Sequence, residues 1–470
     1  MHIGKLSKLN RRAFLRRSGQ LAATGTAAAY AMDLASISEA SATSVEDYKA
    51  LVCVFLYGGN DHANTLIPYD ATNYSRYQSA RSTVAVPRDR LAATRLAQSA
   101  DDKLTDDITF ALAPDMPRLA ARFNSGQLAL LLNVGPLIAP LTKSQFESSN
   151  TQSYPRPAKL FSHNDQQSTW QSFSPEGART GWGGRIADRA LSSNTNSMFT
   201  AINATGNAVF LSGELAAPFK VTQAGATQIL GLESLYGSRS AGAALGDLLT
   251  THHSHIFEQD YTAITQRSIE YSAFINEGLA NANLNTPFDN QSSLSEQLSV
   301  VARLIGARKS LGVKRQVFLV SLGGFDTHTN LLARHAALLG QLDAALDAFY
   351  NAMTELGVAN QVTTFTASDF GRTLTSNGDG SDHGWGGHQF VLGGDVDGGR
   401  FFGTAPSIST TSGDQVGRGR LLPSTSVDQF STTLALWFGV PPSELSSIAP
   451  NIGRFSTSDL GFMRERVVST

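Results

Sequence analysis

The chain lacks the residues and motifs on which several common protein classes depend. Its 470 residues include one cysteine, Cys53, which excludes a disulfide framework, a zinc finger and an iron–sulfur cluster. The 37 Lys and Arg residues nearly balance the 39 Asp and Glu residues, so the basic surplus typical of nucleic-acid binding is missing. The sequence also has no G-x-S-x-G elbow, Walker A motif, H-E-x-x-H motif or G-x-G-x-x-G turn after a strand. Ordinary serine hydrolases, nucleotide-binding proteins and zincins are therefore disfavoured.

Apolar residues are plentiful and are arranged as alternating strands and helices. Continuous apolar runs predict buried strands, and helical periodicity between them predicts an α/β fold with a largely parallel sheet and helices on both faces. The predicted strands are 50–57, 127–134, 315–322, 361–367 and 389–392, and the predicted helices are 117–124, 293–309, 331–356 and 427–438.

Two stretches fit this alternation less well. Residues 185–285 mix short strand-like pieces, at 198–202 and 208–211, with polar segments, which indicates an insertion or cap. Residues 394–424 are rich in Gly, Ser and Thr and are predicted as loop with a hairpin. The expected organisation is an export signal over 1–42 followed by a single domain over 43–470.

The first 42 residues have the pattern of an export signal. Six basic side chains and two acidic ones give this segment a net charge of +4, ahead of a weakly apolar run and a small-residue site at 39–42. Residues 10–16 (NRRAFLR) resemble a twin-arginine signal, although Asn10 stands where Ser or Thr is usual. No other run approaches the roughly 20 apolar residues of a membrane span. We expect a mature protein without a membrane span, in the periplasm or secreted, and the twin-arginine translocation machinery as a partner.

Asp and His residues follow several of the predicted strands. They lie in segments 58–62, 323–328, 368–372 and 382–388, and the carboxyl ends of parallel strands gather at one edge of a sheet. Carboxylates and imidazoles at one edge are suitable ligands for divalent metals. A single histidine is more often structural, but the joint pattern favours a metal site. In contrast, His252, His253 and His255 have no carboxylate partner nearby in the sequence and are predicted to lie on the surface.

The segment FSHNDQQ at 161–167 contains a second candidate feature. Ser162 is placed to cap a helix, where backbone N–H groups favour an anion. Beside a metal, its hydroxyl is a candidate nucleophile for phosphoryl or sulfuryl transfer; otherwise it is simply a cap. Arg372 either holds an anionic substrate oxygen or pairs with a neighbouring carboxylate.

The motifs together resemble the domain of unknown function 1501 family over residues 48–465. The matching segments are LYGGND at 56–61, SHNDQ at 162–166, GGFDTH at 323–328, SDFGRT at 368–373, DHGWGGH at 382–388, LPSTSVD at 422–428 and LWFG at 436–439. That family is similar to the alkaline phosphatase and sulfatase superfamily.

The resemblance implies a doubly wound α/β sheet with two divalent metals at its carboxyl edge and a nucleophile at a helix N-terminus. Ser162, His163 and Arg372 are then expected in catalysis. Carried over by position, the expected metal ligands are Asp61, Asp326, His328, Asp369, His383 and His388. Two departures from the superfamily pattern, Asp326-x-His328 and Asp369-Phe370, imply that one ligand is displaced or absent and that His383 substitutes for it.

The leading hypothesis is an exported hydrolase of small anionic phosphate or sulfate esters. It would use one or two divalent ions, zinc, manganese or calcium. The competing hypothesis is a non-catalytic exported protein that binds a metal or an anion on the same fold. A phosphomutase-like isomerase is a third hypothesis, and the export signal disfavours it.

Overall fold

The structure is a computed structural model that describes residues 48–98, 104, 107–226, 229–251 and 256–464. The predicted signal over 1–42 and the histidines His252, His253 and His255 lie outside these residues. Among the helices in the described ranges, none combines the length and apolarity needed to cross a bilayer.

The described strands are numbered β1 to β16 in chain order. They are β1 (Lys49–Leu56), β2 (Leu66–Pro68), β3 (Phe110–Leu112), β4 (Leu128–Gly135), β5 (Ala201–Asn203), β6 (Phe219–Thr222), β7 (Gly225–Ala226), β8 (Arg315–Leu322), β9 (Val362–Ser368), β10 (Arg372–Ser376), β11 (Ser381–His383), β12 (Gly387–Gly393), β13 (Phe401–Phe402), β14 (Gln415–Val416), β15 (Arg420–Leu421) and β16 (Thr425–Ser426).

The described α-helices are likewise numbered α1 to α12. They are α1 (His62–Thr65), α2 (Ala71–Ala80), α3 (Pro117–Asn124), α4 (Lys143–Glu147), α5 (His163–Ser172), α6 (Trp182–Ala190), α7 (Arg239–Thr250), α8 (Ile256–Asn281), α9 (Ser293–Gly306), α10 (Leu331–Glu355), α11 (Val427–Phe438) and α12 (Leu445–Ile448).

A ten-stranded, mostly parallel sheet forms the centre of the fold. Its order is β13-β4-β12-β9-β1-β8-β5-β6-β7, and β16 also pairs with β4. Only β12 and β7 run against the common direction of these ten strands. Because Leu56 is in register with both Leu322 and Ser368, strands β1, β8 and β9 end at the same edge.

Helices cover both faces of this sheet. On one face, side chains from α5, α6 and α11, including Trp170, Trp182 and Phe430, pack on alternate residues of β1, β8 and β9. On the other face, α9 packs on β8 and α3 on β4, while α10 packs on both α9 and α3. A sheet buried on both faces explains why its strands are continuous apolar runs rather than alternating ones.

The structure confirms the predicted α/β class and the main predicted elements. The five predicted strands correspond to β1, β4, β8, β9 and β12, although β12 is antiparallel to its neighbours. Residues 208–211 were expected as a strand but form a turn, because Phe210 packs against Trp182 and its carbonyl accepts a hydrogen bond from Gly184 in the first turn of α6. Within 185–285, the strands β5, β6 and β7 extend the central sheet.

Candidate metal centre

Three histidines and one aspartate converge where strands β8 and β9 end. The Nε2 atoms of His328 and His383 lie 3.1 and 3.4 Å from Asp326 Oδ1, and His163 Nε2 lies 3.5 Å from Asp326 Oδ2. The two nitrogens of His328 and His383 are 2.9 Å apart. Donor atoms of His163, Asp326 and His383 lie within 4.8 Å of one another and could hold one metal ion, and His328 lies beside them in contact with Asp326 and His383.

The outer nitrogen of each imidazole faces an acceptor. His163 Nδ1 donates to Asp369 at 2.7 Å, and His383 Nδ1 donates to the Phe161 carbonyl at 2.8 Å. His328 Nδ1 faces Asp382 at 3.4 Å. In neutral rings held this way, the lone pair is on Nε2 and points inward, as in a carboxylate–histidine–metal arrangement. His163 Nε2 is buried and has no hydrogen-bond partner, which fits a metal ligand.

Asp369 contacts the cluster from outside, through the outer nitrogen of His163. Its Oδ1 accepts from the Gly58 amide at 3.2 Å, and its Oδ2 accepts from His163 and from Gln167 Nε2 at 2.8 Å. Gly58 has a φ of +113°, and a Cβ there would lie 2.3 Å from the Asp326 amide nitrogen, so only glycine brings the two loops this close. Asp369 therefore orients His163 in this arrangement instead of facing the cluster as a further ligand.

The backbone conformation of the segment before α5 orients His383 and positions His163. Lys159 and Phe161 have positive φ angles of 48° and 72°, an uncommon conformation for non-glycine residues. The turn directs the Phe161 carbonyl toward His383 and places His163 at the start of α5. The Phe370 ring packs against both His163 and His383, with centroids 5.0 and 4.7 Å away, and so restricts both imidazoles.

The charges of the cluster shift the pKa values of its members. Hydrogen bonding to Asp369 raises the pKa of His163, whereas burial lowers the pKa of His383. Burial opposes ionisation of Asp326, but the Arg372 guanidinium outweighs it and lowers the pKa of that carboxyl. Without a cation, the short contact between His328 and His383 needs a proton between the two nitrogens.

Besides Asp369, two more of the six predicted metal ligands, Asp61 and His388, are not members of this cluster. Asp61 is buried, and its oxygens are taken by Arg81 at 2.6 Å, Ser381 Oγ at 2.7 Å and the Asn64 amide at 3.0 Å. His388 accepts from the Asn133 amide through Nδ1 at 3.1 Å and stacks edge-on with His62. Burial lowers the pKa of both these histidines, that of His62 to about 4.

Two of the three predicted catalytic residues also have defined partners. Ser162 is the N-cap position of α5, as expected, but its Oγ donates to Asp165 at 3.0 Å instead of capping the helix. Arg372 is fully buried and donates to Asp326, to the Gly58 carbonyl and to Ser381. Arg372 thus pairs with the Asp326 carboxylate, and its guanidinium has no exposed surface.

Three cationic side chains contact members of the cluster or residues next to them. Arg420 donates to the His383 carbonyl at 2.8 Å and lies over the Phe161 ring. Arg418 is 70% exposed and pairs with Asp382, while Lys159 is 67% exposed and pairs with Asp165. The N-cap residue Ser162 makes no side-chain hydrogen bond to the backbone of the first turn of α5.

Sequence analysis placed His163 in catalysis and named Asp369, which orients it, as a metal ligand. It did not identify the orienting roles of Phe161 and Asp382, which face His383 and His328, or of Gln167, which donates to Asp369. Position after a strand is a signal for Asp326, but His163 comes from a helix more than 150 residues earlier, and no local pattern links the two.

Several solved structures are similar to this chain at low identity. An i-CgsB structure in complex with k-i-k-neocarrahexaose is 12% identical, with a TM-score of 0.34 and coverage of 86% of this chain and 74% of that one. The PsFucS1 sulfatase from Pseudoalteromonas sp. is 10% identical, with a TM-score of 0.35 and coverage of 92% and 73%. A mutant of the alkaline phosphatase PafA is 11% identical, with a TM-score of 0.26 and coverage of 70% and 64%.

Comparison at the family level is more informative. No curated protein matches the sequence significantly. The family model described as "Protein of unknown function (DUF1501)" matches residues 48–447, which include the central sheet and every residue of the cluster. The chain therefore belongs to the DUF1501 family.

Proposed function

We propose that this protein is a metal-dependent hydrolase of phosphate or sulfate esters with one divalent ion. His163, Asp326, His328 and His383 would hold the ion, and the convergence of their inward-facing donor atoms is the observation that carries the proposal. Three imidazoles and a carboxylate suit zinc or manganese better than calcium, which prefers oxygen ligands. A divalent ion bound there would polarise an ester oxygen and lower the pKa of a nearby hydroxyl or water.

The surroundings of the cluster favour an anionic substrate. The uncapped first turn of α5 and the cations Lys159, Arg418 and Arg420 would attract phosphate or sulfate oxygens. Ser162 is adjacent to His163 in the sequence, and its hydroxyl proton is already directed to Asp165. We assign Ser162 as the nucleophile, with Asp165 orienting its hydroxyl so that an oxygen lone pair is available for attack.

The test is ester turnover by the metal-loaded protein with p-nitrophenyl phosphate and p-nitrophenyl sulfate. We expect Ser162→Ala to lower kcat by about 100-fold or more and to leave metal content unchanged. Asp326→Ala should lose both metal and turnover. Full activity in Ser162→Ala would refute the serine as nucleophile, whereas metal binding without turnover of any ester would refute the hydrolase.

The second candidate is a protein that binds a metal or an anion without catalysis. It is favoured by the partners of Asp61 and His388, which leave one cluster of donors where the superfamily has two metals. Under this alternative, phosphate or sulfate should bind the metal-loaded protein as a stable ligand. Isothermal titration with each anion, with and without metal, separates tight anion binding from turnover.

We also propose export through the twin-arginine pathway, directed by residues 1–42. The basic start, the weakly apolar run and the small-residue site support this proposal. Fusion of residues 1–42 to a reporter that is active only after folded export should give periplasmic or secreted signal. Replacing both Arg11 and Arg12 with Lys should abolish that signal; unchanged export would contradict the twin-arginine route.

A further inference from the structure

A series of four charged side chains of alternating sign leads from the protein interior to the candidate metal centre. Arg81 and Asp61 form a buried ion pair at 2.6 Å, and Ser381 Oγ donates to Asp61 Oδ2 at 2.7 Å. Arg372 Nε donates to Ser381 Oγ at 3.1 Å, and Arg372 Nη1 donates to Asp326 Oδ1 at 2.8 Å. The order of charges is positive, negative, positive, negative, and only Asp326 reaches the cluster of histidines.

Both arginines in this series, Arg81 and Arg372, are fixed by hydrogen bonds to backbone carbonyls. The Arg81 Nη1 atom donates to the carbonyls of Thr373 and Leu374, at 3.0 and 3.2 Å, directly after Arg372 in the sequence. Arg372 donates to the Gly58 carbonyl at 3.0 Å and to the Ser381 carbonyl. Arg81, Arg372 and Ser381 have no exposed surface, and Asp61 has about 1%. A fully buried charge is tolerated only when paired, so each member fixes its neighbour.

The contact between Arg372 and Asp326, the last in this series, determines how Asp326 orients its oxygens. Arg372 occupies one hydrogen-bonding direction of Oδ1, the oxygen that also faces His328 and His383. Asp326 is itself 44% exposed and has no other described hydrogen-bond donor apart from the histidines, so Arg372 is its main anchor. Outer partners of this kind orient metal ligands and affect metal affinity.

We infer that Asp61 is a positioning residue that acts on the metal centre through Ser381, Arg372 and Asp326, and is not itself a metal ligand. The inference rests on the proposed function, because a metal at the cluster gives the orientation of Asp326 its purpose. Its basis is the unbroken set of contacts of 3.1 Å or less from Asp61 to Asp326, together with the lack of any described contact between Asp61 and the three histidines of the cluster.

The chain offers a matched control for Asp61. Asp61 and Asp70 both cap a helix, and each accepts through Oδ1 from the amide of an asparagine three residues later, Asn64 at 3.0 Å and Asn73 at 2.8 Å. Replacing either aspartate with asparagine keeps an oxygen for the cap and removes the charge. Only the change at Asp61 interrupts the contacts that lead to Asp326.

The experiment measures Co²⁺ binding to the full-length mature protein by visible absorption and competition with a chelator. We expect one Co²⁺ per chain with the intense bands of a four-coordinate site in the unaltered protein. In Asp61→Asn the stoichiometry should stay at one while affinity falls by about 10–100-fold, the usual effect of losing an outer partner. Ser381→Ala, which keeps both charges, should weaken binding in the same direction, and Asp70→Asn should have no effect.

Each other result overturns a specific part of the account. Loss of the Co²⁺ site in Asp61→Asn, to the extent seen in Asp326→Asn, would mean that Asp61 is a ligand. Unchanged affinity and bands in soluble, folded Asp61→Asn and Ser381→Ala would mean that the network is only structural. Failure of the unaltered protein to bind Co²⁺ would refute the metal site and the proposed function, and with them any positioning role.

Discussion

The candidate metal centre and the buried charge network behind it share Asp326 but differ in how the lone pairs of their other acceptor atoms are used. In the metal centre, His163 and His383 use their outer nitrogens in hydrogen bonds, so their inner lone pairs converge on Asp326. In the buried network, Asp61 has partners on both oxygens and Arg81 neutralises its charge. The candidate ion-binding site differs from the structural network because its nitrogen atoms converge and one of them, His163 Nε2, is buried without a hydrogen-bond partner.

The comparison also separates two ways in which carboxylates support histidines. Asp369 binds His163 directly and is itself held by Gly58 and Gln167. Asp61 reaches the cluster only through a hydroxyl and a guanidinium. Within the range of about 10–100-fold expected for losing either outer partner, the direct contact should have the larger effect on metal affinity.

The largest expected effect comes from breaking the buried network. Arg81→Met leaves Asp61 buried without its counter-ion, which should destabilise the fold by about 3–5 kcal/mol. In Arg189→Met, which breaks the exposed pair with Glu444, the cost should be about 1 kcal/mol or less. Urea denaturation of the two variants gives the comparison, and equal small losses would show that the buried pair is not a structural unit.

The next effect, counted for each group, is that of acid on two buried histidines, His62 and His335. Burial lowers the pKa values of His62 and His335 to about 4, so the unfolded chain binds more protons than the folded one between pH 6.5 and 4. Stability should therefore fall as pH decreases through this range, by about 3 kcal/mol for each histidine. The raised pKa of His163 acts in the opposite sense, adding stability in the metal-free protein below pH 6.5 that is lost as pH rises.

The variant His335→Gln isolates one part of this acid sensitivity. Glutamine retains a donor toward Asn60, whose Oδ1 lies 2.8 Å from His335 Nε2, but cannot become charged. The slope of unfolding free energy against pH between 6.5 and 4 should decrease in this variant. An unchanged slope would show that His335 is not protonated on unfolding in that range.

A smaller effect is expected from the partner of His163. Asp369→Asn removes the charge that orients the ring and supports its basicity, so metal affinity should fall by about 10–100-fold with one ion still bound at saturation. Asp347→Asn, which affects a pair with Arg122 far from the sheet edge, provides the control. Complete loss of the site in Asp369→Asn would restore Asp369 as a metal ligand.

The smallest effect should come from replacing an exposed cation near the cluster, Arg418. Arg418→Gln removes an exposed charge that is paired with Asp382, and we expect KM for a phosphate or sulfate ester to rise by about threefold with kcat unchanged. The effect should decrease at high salt. A fall in kcat of similar size would instead place Arg418 in the reaction itself.

The sequence was sufficient to predict the main sheet because its strands and helices have strong local patterns. The run at 50–57 became β1, and helix 427–438 matches α11 residue for residue. The pattern at 208–211 was misleading, since Phe210 is apolar for packing against Trp182 and not for a place in the sheet. Apolar content alone does not distinguish these two environments.

The candidate site was predictable only in part. Position after a strand identified Asp326 and His328, and both are in the cluster. The same signal selected Asp61, whose partner Arg81 comes from the end of a helix 20 residues later. His163 and the Phe161 carbonyl enter from another segment, and their positions depend on long-range packing that a single sequence does not reveal.

The most direct test of the central claim is the metal content of the folded protein, measured by elemental mass spectrometry. The account predicts one equivalent of a divalent transition metal in the unaltered protein and in Asp70→Asn, and loss of it in Asp326→Ala while the fold is retained. Two equivalents would contradict a single site, and absence of metal after reconstitution, or metal retained in Asp326→Ala, would refute the centre built on His163, Asp326, His328 and His383.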